Sequence, residues 1–275
     1  MFKMYELSEI SLADTQRLLS YKRDLDLEIH LNIKGFDYGW ILNSVDWKPE
    51  MKVLDVGAGY SRLPLYIART FGCEVWSVDD FGLGDDRYWT RNQDPNAYIR
   101  ENSEVKYILE KVGDSQESSL PENYFDVIYS ASALEHIEPS QVSGVWLHLS
   151  KILKSGGLML HALDIAFPTS RRWPHVLMAV VFDVLYPFLP KSIRAKYLYE
   201  TPKSYVRHIA KTIGLNTCGR LGNIGIVDMV INPEIVTEPL DYTLNRMIKD
   251  GDETARYFRV GSLQIALKKT IGEGE

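Results

Sequence analysis

A glycine-rich turn and a carboxylate that follows it one crossover later have the residue types and the spacing to bind a nucleoside. Residues 53–64 read VLDVGAGYSRLP, an apolar run that leads through Gly57 and Gly59 into a helix-like segment. Glycine has no Cβ, so the backbone can turn sharply and approach a ligand, while the following helix points N–H groups at the turn. Residues 73–80, CEVWSVDD, end in acid about 20 residues later, where the Asp79 carboxylate would accept both ribose hydroxyls.

The details of this turn distinguish two kinds of nucleotide ligand. A dinucleotide fingerprint requires G-x-G-x-x-G, and its final glycine would fall on Arg62, so the pyrophosphate version of the motif fails. The turn instead places Asp55 two residues before Gly57, and this resembles motif I of the class I S-adenosylmethionine methyltransferases. The usual third glycine of that motif is Ser61 here. The resemblance implies that Asp55 helps to hold the methionine ammonium of the cofactor.

Three further segments resemble the same family in the expected order. Residues 112–115 look like its G-D segment beside the adenine, residues 125–137 like its fourth-strand motif, and residues 153–162 like its Gly-Gly and fifth-strand motif. An acidic residue at a strand end is also a common turn-former, which is the alternative interpretation of each position. The resemblance implies that S-adenosyl-L-methionine is the cofactor and that the following residues bind it: Asp55, Gly57, Ala58, Gly59, Asp79, Asp80, Gly113, Asp114, Ser115 and Ser130. Within this set, Asp80 is the alternative to Asp79 for the ribose.

Candidate catalytic residues follow the fourth and fifth strands. Because the sulfonium methyl group is already activated, the protein mainly has to orient an acceptor and exclude water. His136, beside Glu135, is the predicted base, since an imidazole titrates near neutral pH. The alternative is that both are structural polar groups on the first turn of a helix. Asp164 is a second candidate acceptor for a proton, whereas His161 is expected to be a core histidine.

Metal binding is not expected in this chain. Residues 132–136 resemble the E-x-x-E-H metal motif of some quinone and RNA-end methyltransferases, but Ser132 replaces the first glutamate and so removes an oxygen ligand. The acidic pair Asp85-Asp86 lies in a glycine-rich stretch and is typical of a solvated turn. The predicted metal complement is therefore none.

Strand-like and helix-like stretches alternate from Lys52 onward, which predicts a mostly parallel sheet with crossover helices. With the resemblance, the expected fold is α/β, a Rossmann-like seven-stranded sheet flanked by helices. The predicted strands are Lys52–Val56, Glu74–Val78, Val105–Leu109, Phe125–Ser130 and Leu158–Leu163, with Gly225–Ile231 and Gly261–Lys268 as a closing antiparallel pair. Helices are predicted over Leu63–Phe71 and Gln141–Leu153, the second stopped by Ser155-Gly156-Gly157.

The whole chain is predicted to form one methyltransferase domain. Its expected parts are an N-terminal helical lid (1–50), a cofactor-binding core (51–165), a helical insertion over the substrate (166–224) and C-terminal strands (225–275). Aromatic residues of the two lid segments would line a substrate pocket or belong to ordinary core. They are Phe36, Tyr38, Trp40, Trp173, Tyr186, Tyr197, Tyr199 and Tyr205.

Composition limits the classes of partner. Of the 275 residues 45% are apolar and 25% charged, as in a folded globular protein, and the net charge of −6 disfavours a general nucleic-acid binder. The first residues have no apolar signal-peptide core, and both cysteines are expected to be reduced, which predicts a cytoplasmic location. The apolar run Val176–Leu189 is too short to span a bilayer. Its basic flanks leave core packing or a homodimer interface as the favoured roles, and peripheral membrane contact as an alternative.

These features predict S-adenosylmethionine-dependent methyl transfer to an oxygen or nitrogen atom of a small molecule, such as a sugar or a natural-product intermediate. Methylation of RNA or protein is the alternative within the enzyme class, and a basic stripe on the lid would favour it. A non-catalytic scaffold that binds the cofactor is the alternative outside that class. The missing glycine at Arg62 counts against a nucleotide-dependent oxidoreductase.

Overall fold

Six strands form one sheet in the computed structural model, which describes residues 33–81, 94–113, 118–137, 140–168, 212 and 258–269. In chain order they are β1 (Lys52–Val56), β2 (Glu74–Val78), β3 (Val105–Ile108), β4 (Phe125–Ala131), β5 (Leu153–Pro168) and β6 (Phe258–Lys268). Their order across the sheet is β3-β2-β1-β4-β5-β6. Strands β1 to β5 run parallel, and β6 runs antiparallel to β5. The predicted Rossmann-like α/β class is confirmed.

The strand order reverses at β1, and this reversal fixes where a ligand can bind. Strands β2 and β3 add to one side of β1, whereas β4 and β5 add to the other. In open parallel sheets of this kind the ligand crevice lies outside the carboxyl ends of the strands at the reversal. The segments that follow β1, β2 and β4 are therefore brought to one edge of the sheet.

Helices cover both faces of the sheet. They are α1 (Ile33–Asn43), α2 (Leu63–Phe71), α3 (Pro95–Glu101) and α4 (Val142–Ile152), with a short 3-10 helix at Leu134–His136. Helix α2 has a proline in its first turn and ends at Gly72, whose φ of 69° and N–H bond to the Ala68 carbonyl close the helix. Its apolar residues recur one turn apart, as Leu63 and Ile67 do, so one side of α2 is buried on the sheet.

Alternating side chains of β1 enter two different hydrophobic clusters. Val53 joins the cluster that holds the buried residues of α1 and α2, and Leu54 joins the cluster that holds those of α4. Both faces of the central strands are thus buried, as is usual for parallel sheets. A fully buried Leu or Ile contributes about 1.5–3 kcal/mol, so the two clusters stabilise the central strands that position the site.

One predicted boundary is wrong. Residues 155–157 do not stop the helix before β5, because α4 already ends at Ile152 and Leu153 is extended, with φ −75° and ψ 133°. Between two pairs of partners, Phe125 with Leu153 and Val127 with Leu158, the register advances by two residues on β4 but by five on β5. The two glycines serve this bulge: Gly156 has a φ of +78°, and a Cβ on Gly157 would lie 2.8 Å from the Leu153 side chain.

The other predicted elements agree with the structure where it describes them. The bounds of β1, β2 and α2 are as predicted, while β5 is longer at both ends and reaches Pro168. The predicted strand Gly261–Lys268 is confirmed as part of β6. Its partner Gly225–Ile231, residues 1–32 and almost all of the 166–224 insertion lie outside the described residues, so the seventh strand, the lids and the domain parts stay predictions.

No helix in the described ranges has both the length and the apolar character that crossing a membrane requires. The run Val176–Leu189 lies outside those ranges. Its assignment to core, a dimer interface or a membrane surface therefore stays a prediction.

Candidate functional site

The glycine turn after β1 contains two glycines that are required for different reasons. Gly57 and Gly59 have positive φ values of 72° and 52°, which residues with a Cβ rarely adopt. A Cβ on Gly57 would lie 2.5 Å from the Cβ of Ala133, so this glycine lets the turn pack against the segment after β4. A Cβ on Gly59 would meet no atom of the described residues within 4 Å. Among those residues, Gly59 therefore leaves space in which a ligand could approach the backbone.

Asp79 is tied to the glycine turn through its carboxylate. The Gly59 N–H donates to its Oδ2 at 2.7 Å, and the Phe81 N–H donates to its Oδ1 at 2.5 Å. Burial raises the pKa of Asp79, and these two backbone donors oppose that rise by stabilising the charged form. A carboxylate offers about four acceptor positions, so two remain for a pair of hydroxyl groups. The side chain is thus oriented by the backbone and still able to bind a ribose.

Asp80 occupies a different environment from its neighbour. Its side chain is 33% exposed and lies 3.6 Å from the ammonium group of Lys111, which follows β3. The Asp79 N–H donates to the Ile108 carbonyl of β3 at 3.1 Å and so ties the end of β2 to β3. Of the two, Asp79 is the carboxylate that contacts the glycine turn.

Asp55 is buried on the face of the sheet that α1 covers. Across the sheet, Asp55 of β1 lies between Ser77 of β2 and Tyr129 of β4. Tyr107 of β3 lies on the other side of Ser77. Asp55 is 3% exposed. Burial raises the pKa of Tyr129, and the negative charge of Asp55 raises it further. The same charge acts on Tyr38 of α1, so the motif carboxylate lies among tyrosine hydroxyls directly below the turn.

The segment after β3 packs closely on α4. Gly113 has a φ of 113°, and a Cβ there would lie 2.6 Å from the Val145 side chain. Its N–H donates to Nδ1 of His148 at 3.4 Å, and burial lowers the pKa of that imidazole and so favours its neutral, accepting form. Asp114 and Ser115, the predicted adenine contacts, lie outside the described residues.

Sequence reasoning missed the residue that closes this segment. The Glu110 carboxylate accepts from the Ser118 hydroxyl at 2.6 Å and from both the N–H and the hydroxyl of Ser119 at 3.0 Å. Glu110 thereby joins the two ends of the loop that carries the predicted adenine contacts. A Glu eight residues before a Ser pair has no recognisable motif, so the sequence holds no signal for it.

Ser130 is fully buried on the α4 face of the sheet. Its Oγ lies 2.8 Å from Nδ1 of His161, whose ring meets Trp146 edge-on at 4.9 Å. Burial lowers the pKa of His161 to about 3, so this imidazole is neutral at physiological pH. His161 therefore has the environment of the core histidine that the sequence predicted. The Ser130 hydroxyl is engaged in the same core contact, and its assignment to the cofactor stays a prediction.

Glu135 and His136 lie on the 3-10 helix that follows β4, and their side chains differ in exposure to solvent. Glu135 is buried, whereas the His136 side chain is 59% exposed, with its Nε2 3.9 Å from a Glu135 carboxylate oxygen. Ser132, with a φ of +53°, turns the chain into this helix at the carboxyl edge of the sheet. An exposed imidazole beside a buried carboxylate can accept a proton from a bound molecule. Its role as base stays a prediction, as does the absence of a metal.

Of the remaining predicted positions, some lie within the described residues and some outside them. Asp164 lies in β5 and pairs with Ser262 of β6. The N-terminal aromatics, Tyr38 and Trp40, pack against the hydrophobic cluster of α1 and α2. The later lid aromatics, Trp173, Tyr186, Tyr197, Tyr199 and Tyr205, lie outside the described residues.

The family comparison matches the part of the chain that builds this site. Residues 54–161, about two-fifths of the chain, match the family model described as a methyltransferase domain. The matched range runs from β1 to β5. It contains Asp55, both glycines of the turn, Asp79 and His136.

Curated methyltransferases match over less than half of the chain. The glycine/sarcosine/dimethylglycine N-methyltransferase of Actinopolyspora halophila is 29% identical over 130 residues, which are 46% of this chain and 21% of that protein. The sterol 24-C-methyltransferase of Yarrowia lipolytica is 30% identical over 112 residues, 40% of this chain and 27% of that protein. The chain thus spans less than a third of the length of either relative.

A solved structure also matches, that of phosphoethanolamine N-methyltransferase 2 of Haemonchus contortus in complex with S-adenosyl-L-methionine. Its TM-score is 0.49 at 12% identity, over 97% of this chain and 61% of that one. Residues 54–161 therefore resemble a methyltransferase domain, and the sequence relatives that match part of this chain are methyltransferases.

Proposed function

We propose that this chain is a class I S-adenosylmethionine-dependent methyltransferase that transfers the methyl group to an oxygen or nitrogen atom of a small molecule. The observation that carries the proposal is the junction of the two cofactor segments. The Asp79 carboxylate accepts from the Gly59 N–H, and no atom of the described residues lies within 4 Å of where a Gly59 Cβ would be. The proposed ribose acceptor and the proposed close-approach position of the backbone are thus hydrogen-bonded to each other at one edge of the sheet.

The residues present fit the cofactor in chemical type. Asp79 would take the ribose hydroxyls, and Asp55 would supply the negative charge that the methionine ammonium requires. Gly57, Ala58 and Gly59 would bring backbone N–H groups to the same molecule, with Gly113, Asp114 and Ser115 beside the adenine. Ser130 completes the proposed cofactor residues, and Asp80 is the alternative to Asp79 for the ribose. When bound, S-adenosylmethionine supplies a methyl group that its sulfonium charge has already activated.

The protein's own contribution to the reaction is to position the acceptor, exclude water and remove one proton. Positioning and exclusion of water are together worth about 7–11 kcal/mol in favourable cases. His136 is the proposed base, because its exposed ring lies at the carboxyl edge and Glu135 next to it stabilises the imidazolium once it has taken the proton. Asp164 is the second candidate for that role.

A small-molecule acceptor is supported by charge and by the range of relatives. The net charge of −6 provides no general attraction for nucleic-acid phosphates. The relatives are named for glycine and its methylated forms and for sterols, all small molecules. We extend the proposal to a cytoplasmic protein in which residues 176–189 belong to the core or to a homodimer interface, with peripheral membrane contact as the alternative.

Calorimetric titration with S-adenosylmethionine, S-adenosylhomocysteine and NAD in parallel tests the cofactor. We expect both adenosyl ligands to bind and NAD to fail, and binding of NAD alone would refute the proposal. Transfer of labelled methyl groups to separate pools of small metabolites, RNA and protein then tests the acceptor. Label in the RNA or protein pool alone would replace the small-molecule assignment, and cofactor binding with no label in any pool would support the scaffold alternative.

A further inference from the structure

Ser61 occupies the place of the third glycine in the turn, and each of its polar groups has a partner. Its N–H donates to the Ala58 carbonyl at 2.9 Å, and its hydroxyl donates to the Tyr38 oxygen at 3.0 Å. The Tyr98 hydroxyl donates to the Ser61 carbonyl at 2.8 Å. The Leu63 N–H, the first of α2, donates to the Ser61 Oγ at 3.2 Å. A residue that the family pattern would leave without a side chain is here the meeting point of four segments.

The two tyrosines reach Ser61 from different helices. Tyr38 belongs to α1 and is only 6% exposed, and burial raises the pKa of its hydroxyl, which therefore stays protonated. Tyr98 belongs to α3, and its ring meets Tyr107 of β3 edge-on at 5.8 Å. A buried hydroxyl pays a desolvation cost unless it has a partner, so the pair formed by Tyr38 and Ser61 is maintained.

Aromatic contacts extend this arrangement to the second cofactor segment. The Tyr60 ring, next to Ser61 in the chain, meets Tyr98 at 5.1 Å and Phe81 at 5.2 Å, in both cases edge-on. Phe81 is one of the two residues whose N–H groups donate to the Asp79 carboxylate, and Gly59 is the other. A shift of Ser61 would therefore displace Tyr60 and alter the support of Asp79 as well as the turn itself.

We propose that Ser61, held by Tyr38 through its hydroxyl and by Tyr98 through its carbonyl, is a positioning residue that sets the affinity of the turn for the cofactor. The proposal rests on the proposed function. A glycine at this position would keep the carbonyl bond to Tyr98 but lose the hydroxyl bonds to Tyr38 and Leu63. The departure from the family pattern thus replaces backbone freedom with a side-chain anchor to the N-terminal helix.

A double-mutant cycle tests the anchor, with the Kd for S-adenosylhomocysteine measured by calorimetry. Tyr38→Phe and Ser61→Gly each remove the hydroxyl pair, and we expect each to weaken binding about three- to tenfold. Because both changes break the same bond, the double variant should bind no more than about twofold more weakly than Ser61→Gly. Tyr98→Phe should weaken binding about equally in the unmodified protein and in Ser61→Gly, since the backbone carbonyl is present in both.

A matched control separates positioning from general stability. Tyr124→Phe removes another tyrosine hydroxyl bond, that to Glu74, at the opposite edge of the sheet. It should lower Tm without changing the Kd, whereas the Tyr38 and Ser61 variants should change the Kd at temperatures far below their Tm. Independent effects of Tyr38→Phe and Ser61→Gly, or an unchanged Kd in both, would overturn the inference. Failure of the unmodified protein to bind the ligand would instead overturn the proposed function.

Discussion

Replacing Asp79 with asparagine tests the proposed ribose contact while keeping the shape of the side chain. The carboxylate accepts one N–H from Gly59 and one from Phe81, at 2.7 and 2.5 Å. An asparagine has only one carbonyl oxygen, so its amide group would face one of these two donors without a hydrogen bond. The substitution therefore removes the charge and disturbs the orientation of the group at the same time.

The expected loss follows from the bonds involved. Hydrogen bonds to a charged group contribute about 1.5–3 kcal/mol, and about 1.4 kcal/mol corresponds to a tenfold change in Kd. Loss of the charge from one ribose bond thus predicts at least tenfold weaker binding of S-adenosylhomocysteine. The reorientation of the side chain extends the expected range to about a hundredfold.

Calorimetry of Asp79→Asn beside Asp80→Asn is the assay. Asp80 is partly exposed and its described ion-pair partner, Lys111, lies outside the glycine turn, so its replacement should change the Kd by less than about twofold. An unchanged Kd in Asp79→Asn would refute the ribose assignment. A larger loss in Asp80→Asn would mean that the neighbouring carboxylate holds the ribose.

Three other predictions concern the same edge of the sheet. Gly57→Ala should lower the free energy of unfolding in urea by about 2 kcal/mol or more, and by more than Gly59→Ala, because only the former adds a clash with Ala133 to the cost of a positive φ; equal losses would contradict this. His136→Ala should abolish turnover while the Kd for the cofactor is retained, and full activity would exclude the base role. Burial raises the pKa of Asp79, so cofactor affinity should fall as the pH falls through that raised value, and titration of Asp79→Asn should lack this step.

The raised pKa of Asp79 also determines how this group changes the stability of the fold with pH. Because its folded pKa is higher than its unfolded pKa, the folded chain binds more protons between the two values. The contribution of this group to the free energy of unfolding is therefore full below the unfolded pKa and decreases as the pH rises through the folded one. Between the unfolded and the folded pKa of Asp79, a rise in pH should therefore strengthen cofactor binding and lower the contribution of Asp79 to the free energy of unfolding.

Local patterns in the sequence were sufficient for the elements that flank the site. The bounds of β1, β2 and α2 were predictable because each is a short apolar run or an amphipathic segment ended by glycine. The end of α4 was not, because the glycines at 156 and 157 resemble a helix stop although they form a bulge in β5. That bulge exists only through the pairing of β5 with β4, which no local pattern contains.

The sequence by itself determined that a buried strand runs into a glycine turn, and that a carboxylate follows one crossover later. Both features are local, because residue types and their spacing along the chain determine backbone freedom and the order of the segments. Only the tertiary structure decided that Gly57 is required by Ala133, and that Ser61 is held by tyrosines 23 and 37 residues away. Such contacts depend on how helices pack across the sheet, and packing joins residues whose separation along the chain carries no signal.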